Sequence, residues 1–267
     1  GLRWYASDIA YQIDDGGADQ LGLPELQTAI AAAFAPWSEV SCALCTASDG
    51  PGCPPVSCAP APLGVQFTDA GLAPPTPVGA TCLKWSATGD NCLDVAGNGN
   101  FVRFFHDVPS WQAAANQGSL VYGLTVLTFN RQSGAIADAD ILLNDANFDF
   151  CIGDCPPGRV SLCNTTTHEV GHLLGLDHSP EPDATMFASA PPGETRKCSL
   201  HDDDRAGICT VYRTSCSTQG CRVAAPVAGT CQTGRVAGGA VWPLWLAIGC
   251  AVLGWRRARP GRDSQGR

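Results

Sequence analysis

The chain has 267 residues, 45% of them hydrophobic and 15% charged, with a formal net charge of −9. That length supports one substantial core with a small appendage, and an acidic body with no basic stripe argues against a nucleic-acid partner. Fifteen cysteines, fourteen of them before residue 240, argue against a reducing compartment and for as many as seven disulfides in an exported protein. The chain begins at Gly1, so any export signal or pro-segment is expected upstream.

SDIAYQID (7–14) sets Ile9, Tyr11 and Ile13 on one side, the period of a half-buried strand. From Pro24 the period becomes helical. Leu26, Ile30, Ala33, Phe34 and Trp37 predict an amphipathic helix of about four turns, with Pro24 in its first turn. Residues 41–100 read as largely irregular, with a proline- and cysteine-rich loop, one strand at LGVQFTD (63–69), and a second loop through Cys82 and Cys92. GDNCLDVAGNGN (89–100) reads as turn residues; calcium is left open there, with no ligand spacing to support it. NFVRFF (100–105), YGLTVLTF (122–129) and ADILLN (139–144) are further predicted strands. A helical pattern returns at 164–174, with Thr165, Thr166 or Thr167 to cap it. SLHDDDRAGICTVY (199–212) predicts a last helix with Ser199 as a cap. His201 beside Asp202, Asp203 and Asp204 reads as a solvated acidic helix start in preference to a second metal site.

Cystine pairing does not follow from spacing. The short-range candidates are Cys42 with Cys45, Cys151 with Cys155 or Cys163, and Cys198 with Cys209. The tail is of another kind. Twenty uncharged residues between Arg235 and Arg256 would span ~30 Å as a helix, the thickness of a bilayer core. Trp242, Trp245 and Trp255 suit its interfaces, and the arginines that follow place the C-terminus in the cytoplasm and the body outside.

The chemistry concentrates in HEVGHLLGLDHS (168–179), which holds three of the five histidines. His168 and His172, four apart, project from one helix face and can bind one metal ion. Gly175 lets the chain turn out of the helix, and His178 can come round as third ligand. Three neutral imidazoles leave a fourth position for water, the arrangement of a catalytic zinc site. Glu169 is placed to act on that water as general base.

This stretch resembles the active site of the metzincin zinc endopeptidases, most closely the matrixin branch, whose pattern is HExxHxxGxxH. Met186, the sole methionine, falls eight residues after His178 and matches the family's methionine turn under the metal. Asp177 and Ser179 fit the matrixin form GLDHS. SDIAYQID, PELQTAIAAAFAPWSEVS, SGAIADADILLN and SLHDDDRAGICTVY resemble, in order, the family's first strand, first long helix, Ala-Asp-Ile strand and last helix. The resemblance implies an α+β fold with a twisted, mostly parallel sheet, long helices including the active-site helix, and a small C-terminal subdomain. Its domain would occupy residues 1–213, followed by a Cys-containing linker (214–237), a hydrophobic membrane-spanning or sorting segment (238–255) and an Arg-rich cytoplasmic tail (256–267). Cys231, the hydrophobic span and the arginines also resemble the surface-sorting signals of myxobacterial proteins. The chain departs from the family in lacking a cysteine switch and the histidine-rich segment of a second zinc site, where His106 stands alone, and in its disulfide-rich insertions.

The activity these features imply is zinc-dependent hydrolysis of peptide bonds in extracellular proteins, at a cell surface to which the tail anchors the enzyme. An extended polypeptide substrate would pair with a sheet edge, with a candidate edge near residues 139–151. The loop from Phe187 to Cys198 would wall the pocket for the residue after the cleaved bond. The alternatives are a zinc hydrolase of a non-peptide cell-wall substrate and an inactive surface binding module; Glu169 weighs against the latter, since a structural site has no use for a base.

Overall fold

The computed structural model describes residues 1–46, 57–74, 78–79, 81–87, 92–96, 99–115 and 121–212. Strand β1 (Asp8–Asp14) turns Ile9, Tyr11 and Ile13 into the core, as its alternation requires. Helix α1 (Leu23–Ser38) buries Leu26, Ile30, Ala33, Phe34 and Trp37 along one stripe, and Pro24 occupies its first turn, where no backbone hydrogen bond is lost. Tyr11 stacks on Phe34 with ring centroids 4.0 Å apart, which fixes the strand to the helix.

Residues 41–100 hold more pairing than their composition suggests. β2 (Ser41–Thr46) and β3 (Ser57–Pro62) form an antiparallel hairpin. β4 (Gln66–Ala73) follows, displaced C-terminally from the predicted strand at 63–69. β5 (Thr81–Trp85) and β6 (Cys92–Ala96) form a second hairpin. Two-stranded ribbons outside the main sheet need no long apolar alternation, so periodicity does not reveal them.

β7 (Asn100–Phe104) leads to α2 (Val108–Ala115), a short helix the apolar pattern does not reveal because it buries only Trp111 and Ala115. Its signal was the start: the Asp107 carboxylate accepts the Ser110 N–H at 2.8 Å, a cap. β8 (Gly123–Phe129) and β9 (Ile136–Leu143) are an antiparallel pair. The main sheet runs β4-β1-β7-β9-β8, parallel throughout except for β8. ADILLN therefore lies mostly within β9, an inner strand, and not at a sheet edge. Its unbroken burial from Asp138 to Leu143 is what a strand covered on both faces requires. The edge is β8.

Short strands β10 (Phe150–Cys151) and β11 (Val160–Ser161) pair in parallel and feed α3 (Leu162–Leu173). Ser161, not one of the predicted threonines, caps α3 by accepting the Asn164 N–H at 3.2 Å. Helix α4 (Asp202–Tyr212) starts later than predicted, after a 3-10 turn at Arg196–Cys198. Ser199 is not its cap; that hydroxyl bonds back to the Arg196 carbonyl at 3.2 Å.

Among the described residues, disulfides join Cys42 to Cys209, Cys151 to Cys155 and Cys163 to Cys198. The second is as expected. Cys42 does not join Cys45, because three positions of an extended strand are roughly 10 Å apart, beyond disulfide reach. Cys198 does not join Cys209, because the 3-10 turn lies against α3 while α4 faces β2. Among the described residues no helix is long and apolar enough to cross a membrane; the expected linker, hydrophobic segment and tail (214–267) lie outside them.

Candidate metal centre

Helix α3 packs against α1, β8 and β9, and every residue in it except Cys163 is buried. That is unusual for a helix carrying three threonines, an asparagine, two histidines and a glutamate, and buried polar groups require partners. Trp37 of α1 donates its indole N–H to the Thr167 carbonyl at 2.9 Å, and Thr165 donates to the Ser161 carbonyl at 3.0 Å.

α3 ends in a glycine-dependent turn. Gly175 takes φ +93°, its N–H bonds the His172 carbonyl at 2.8 Å, and the Leu176 N–H reaches back to the Gly171 carbonyl at 3.0 Å. This pair of bonds is the Schellman closure. It reverses the chain so that His178 returns to the face occupied by His168 and His172. Ring centroids lie 4.8 Å (His168–His172), 5.2 Å (His168–His178) and 4.9 Å (His172–His178) apart. The predicted triad is thus brought together.

The tautomers follow from the surroundings. His168 Nδ1 lies 2.6 Å from the Thr185 carbonyl and His172 Nδ1 lies 2.8 Å from the Leu176 carbonyl. A carbonyl accepts only, so each Nδ1 carries the proton and each Nε2 offers a lone pair inward. Burial favours the neutral rings: His168 is held well below the usual histidine range, His172 is lowered to about 4, and His178 is lowered as well.

These residues fit zinc. The Nε2 atoms of His168 and His172 are 3.1 Å apart with no proton between them, close to the ~3.4 Å expected for two nitrogens around a tetrahedral ion at 2.0–2.1 Å. His178 Nε2 and Glu169 Oε1 are buried without a hydrogen-bond partner. A cation for the one and a water for the other would satisfy both. Burial pushes the Glu169 carboxyl up to about 8, opposed by a hydrogen bond from the Thr125 hydroxyl, 2.8 Å from Oε2.

Below the triad, Met186 is buried against α3. A Cβ on Gly171 would overlap Met186 Sδ, so this glycine is required by close approach. Asp204 holds the turn, accepting the N–H groups of Thr185 (2.8 Å), Met186 (2.9 Å) and His201 (2.8 Å). The predicted solvated acidic start of α4 is therefore half right: Asp204 is buried and its neighbours Asp202 and Asp203 are exposed. Thr125 and Asp204 escaped the sequence reading. One is a threonine within a strand and the other the last of three adjacent aspartates, and neither pattern signals contact with residues 44 and 18 positions away.

His106 does not stand alone. Its Nδ1 lies 3.1 Å from Asp19 Oδ1 and 3.0 Å from Asp145 Oδ2, and Asp145 also accepts the Asp19 N–H at 2.8 Å. The group ties together the loops that follow β1, β7 and β9.

Residues 102–213 match the matrixin family model, from midway along β7 to just past α4. The chain is 47% identical over 53 residues to Metalloendoproteinase 1-MMP of Arabidopsis thaliana, covering 20% of this chain and 14% of that protein. It is 43% identical over 65 residues to Matrix metalloproteinase-9 of Canis lupus familiaris (22% and 8% covered) and 49% identical over 49 residues to Metalloendoproteinase 1 of Glycine max (18% and 16% covered). The matches thus span less than a fifth of each relative's length. The parallel sheet with one antiparallel edge, the histidine triad around the Gly175 turn and the matched segment agree: the chain carries a matrixin-like metzincin domain.

Proposed function

We propose that the protein is a zinc-dependent endopeptidase that cleaves polypeptides outside the cell. The observation that carries this reading is the convergence of three neutral imidazoles beside a buried glutamate whose Oε1 has no hydrogen-bond partner. His168, His172 and His178 would hold the ion through Nε2. A zinc ion bound there supplies Lewis acidity, polarising a scissile carbonyl and acidifying water.

The remaining steps belong to the chain. Glu169 takes a proton at Oε1 as general base and returns it to the leaving amine. Thr125 holds the other carboxylate oxygen, so Oε1 is the one aimed at the reactants. Burial raises the basicity of Glu169. Met186 contributes packing beneath the histidines and no ligand atom. β8, a terminal strand of the sheet whose Gly123 lies against Glu169 and Thr165, can pair with an extended substrate.

The described disulfides support an oxidising compartment, and the hydrophobic segment 238–255 would hold the enzyme at the cell surface. Zinc stoichiometry and cleavage of an unfolded protein by the full chain, with and without chelator, test the reading. We expect one zinc at this site in both wild type and Glu169→Ala, with turnover reduced about 10²-fold or more in the variant. A zinc-loaded, oxidised protein that cuts nothing, or a variant that cuts equally well, refutes it.

A further inference from the structure

We propose that Gly123 is a positioning residue whose missing side chain leaves the space for the Glu169 carboxylate, and that with Thr125 it makes strand β8 the seat that aims this base. The proposal rests on the endopeptidase reading above. Gly123 and Thr125 stand two apart in β8 and both meet Glu169, so both face α3. Leu124 between them faces the other way, into the cluster of Phe105, Trp111 and Leu142.

A Cβ at position 123 would lie 2.9 Å from Glu169 Oε1, 3.1 Å from Glu169 Cγ and 2.9 Å from Thr165 Cγ2. Something must move to relieve contacts that short. Thr165 cannot turn its methyl away without giving up the bond that its hydroxyl donates to the Ser161 carbonyl at 3.0 Å. The strand is held from behind. Gly123, Leu124 and Thr125 pair with Leu143, Leu142 and Ile141 of β9, and the Asn144 N–H donates to the Tyr122 carbonyl at 2.9 Å. What yields is the Glu169 carboxylate, at the end of a longer side chain with more torsions.

The other carboxylate oxygen is held from the same strand. The Thr125 hydroxyl lies 2.8 Å from Glu169 Oε2 and 3.0 Å from the Glu169 main-chain carbonyl. It has one proton to give, and a carboxylate is the stronger acceptor. With Oε2 tethered and Oε1 lodged against a position that has no side chain, the carboxylate plane has little freedom. A side chain at 123 would push Oε1 out while Thr125 kept Oε2, turning the carboxylate about its tether. Both residues therefore act through Glu169. Their side-chain positions stand perpendicular to the sheet, away from the hydrogen-bonding edge of β8, so substrate pairing does not depend on them.

The test measures kcat and KM for one peptide with the zinc-loaded, disulfide-intact full chain, with turnover expressed per bound zinc. Gly123→Ala and Thr125→Val should each lower kcat about tenfold or more and leave KM within about twofold. Thr125→Ser, which keeps the hydroxyl, should recover most of the loss seen with valine. Thr165→Ser deletes the methyl that meets the new Cβ and keeps the hydroxyl, so adding it to Gly123→Ala should restore part of the lost kcat. In a Glu169→Ala background neither β8 substitution should lower the residual turnover further, because the group being aimed is gone. The two Thr125 variants carry the same test should Gly123→Ala not fold. An unchanged kcat in either β8 variant, a loss confined to KM or to bound zinc, or a loss that recurs in full without the Glu169 carboxylate overturns the inference alone. A wild type that cuts nothing removes the endopeptidase reading and this inference with it.

Discussion

Gly171 lies one position before His172, where Met186 and Trp37 press against α3. A methyl there would overlap Met186 Sδ and come within 2.9 Å of Trp37 Cζ2. Both neighbours are buried, so a shift of either must be taken up inside the core. The Trp37 indole is tied to Thr167 and the Met186 N–H to Asp204. Alanine for glycine gains up to ~1 kcal/mol in a helix interior, but overpacking costs ~1–3 kcal/mol, so the cost wins. Gly171→Ala should lower unfolding stability by about 1–2 kcal/mol, measured by denaturant titration. A neutral or stabilised variant would mean that the methionine beneath the histidines is loosely packed. The sequence made His168, His172, Gly175, His178 and Met186 legible because their spacing is itself the constraint: a helix period, a left-handed turn and a fixed return. It could not mark Gly171, since a glycine inside HEVGH looks like any helix glycine until the opposing side chain is known.

Elements are held together by cystines whose separations differ widely. Cys42–Cys209 joins β2 to α4 across 167 positions, whereas Cys151–Cys155 closes 4. If a cross-link acts chiefly by restricting the unfolded chain, the long closure is worth about 5 kcal/mol and the short one clearly less. Replacing both Cys42 and Cys209 by alanine should therefore destabilise the protein more than replacing both Cys151 and Cys155, with thermal unfolding as the readout. Equal losses would show that local strain and packing, not loop closure, set these contributions. The alternating strand β1 and the striped helix α1 were readable from sequence because each shows its buried positions at a regular period. The two hairpins between residues 41 and 96 were not, because ribbons of this kind are specified by cross-links and turns, and cystine partners follow from tertiary geometry.

For the molecule as a whole, a net charge of −9 makes the fate of buried carboxylates a matter of global stability. Asp140 sits on the inner strand β9, accepting N–H groups from Gly79 (2.5 Å) and Phe101 (3.1 Å). Burial nevertheless raises its pKa from 3.8 to about 6. The folded state thus holds this proton more tightly than the unfolded chain does. The associated stability is complete below pH ~4 and is lost as pH rises through ~6, a span worth about 3 kcal/mol. Asp140→Asn has no such proton, so the variant should gain on wild type by up to that amount between those pH values. A stability difference that stays constant from pH 4 to 7 would refute this. The sheet order was only partly legible. The mostly parallel sheet was an implication of the resemblance, but which strands end the sheet depends on the β8–β9 reversal, and β9 looks equally suited to either place.

One small knot of contacts ties these scales together. Trp4 donates its indole N–H to the Leu173 carbonyl at 2.8 Å and its backbone N–H to the Tyr212 hydroxyl at 3.2 Å, while that hydroxyl donates to the Leu174 carbonyl at 3.0 Å. The first and last parts of the domain thus meet on the turn that sends His178 back toward the other two histidines. During synthesis the two histidines of α3 emerge well before Tyr212 does, so a growing chain carries part of a metal-binding set without the contacts that seat its last member. The histidine cluster therefore has its full set of supporting contacts only once the C-terminal end of α4 has docked.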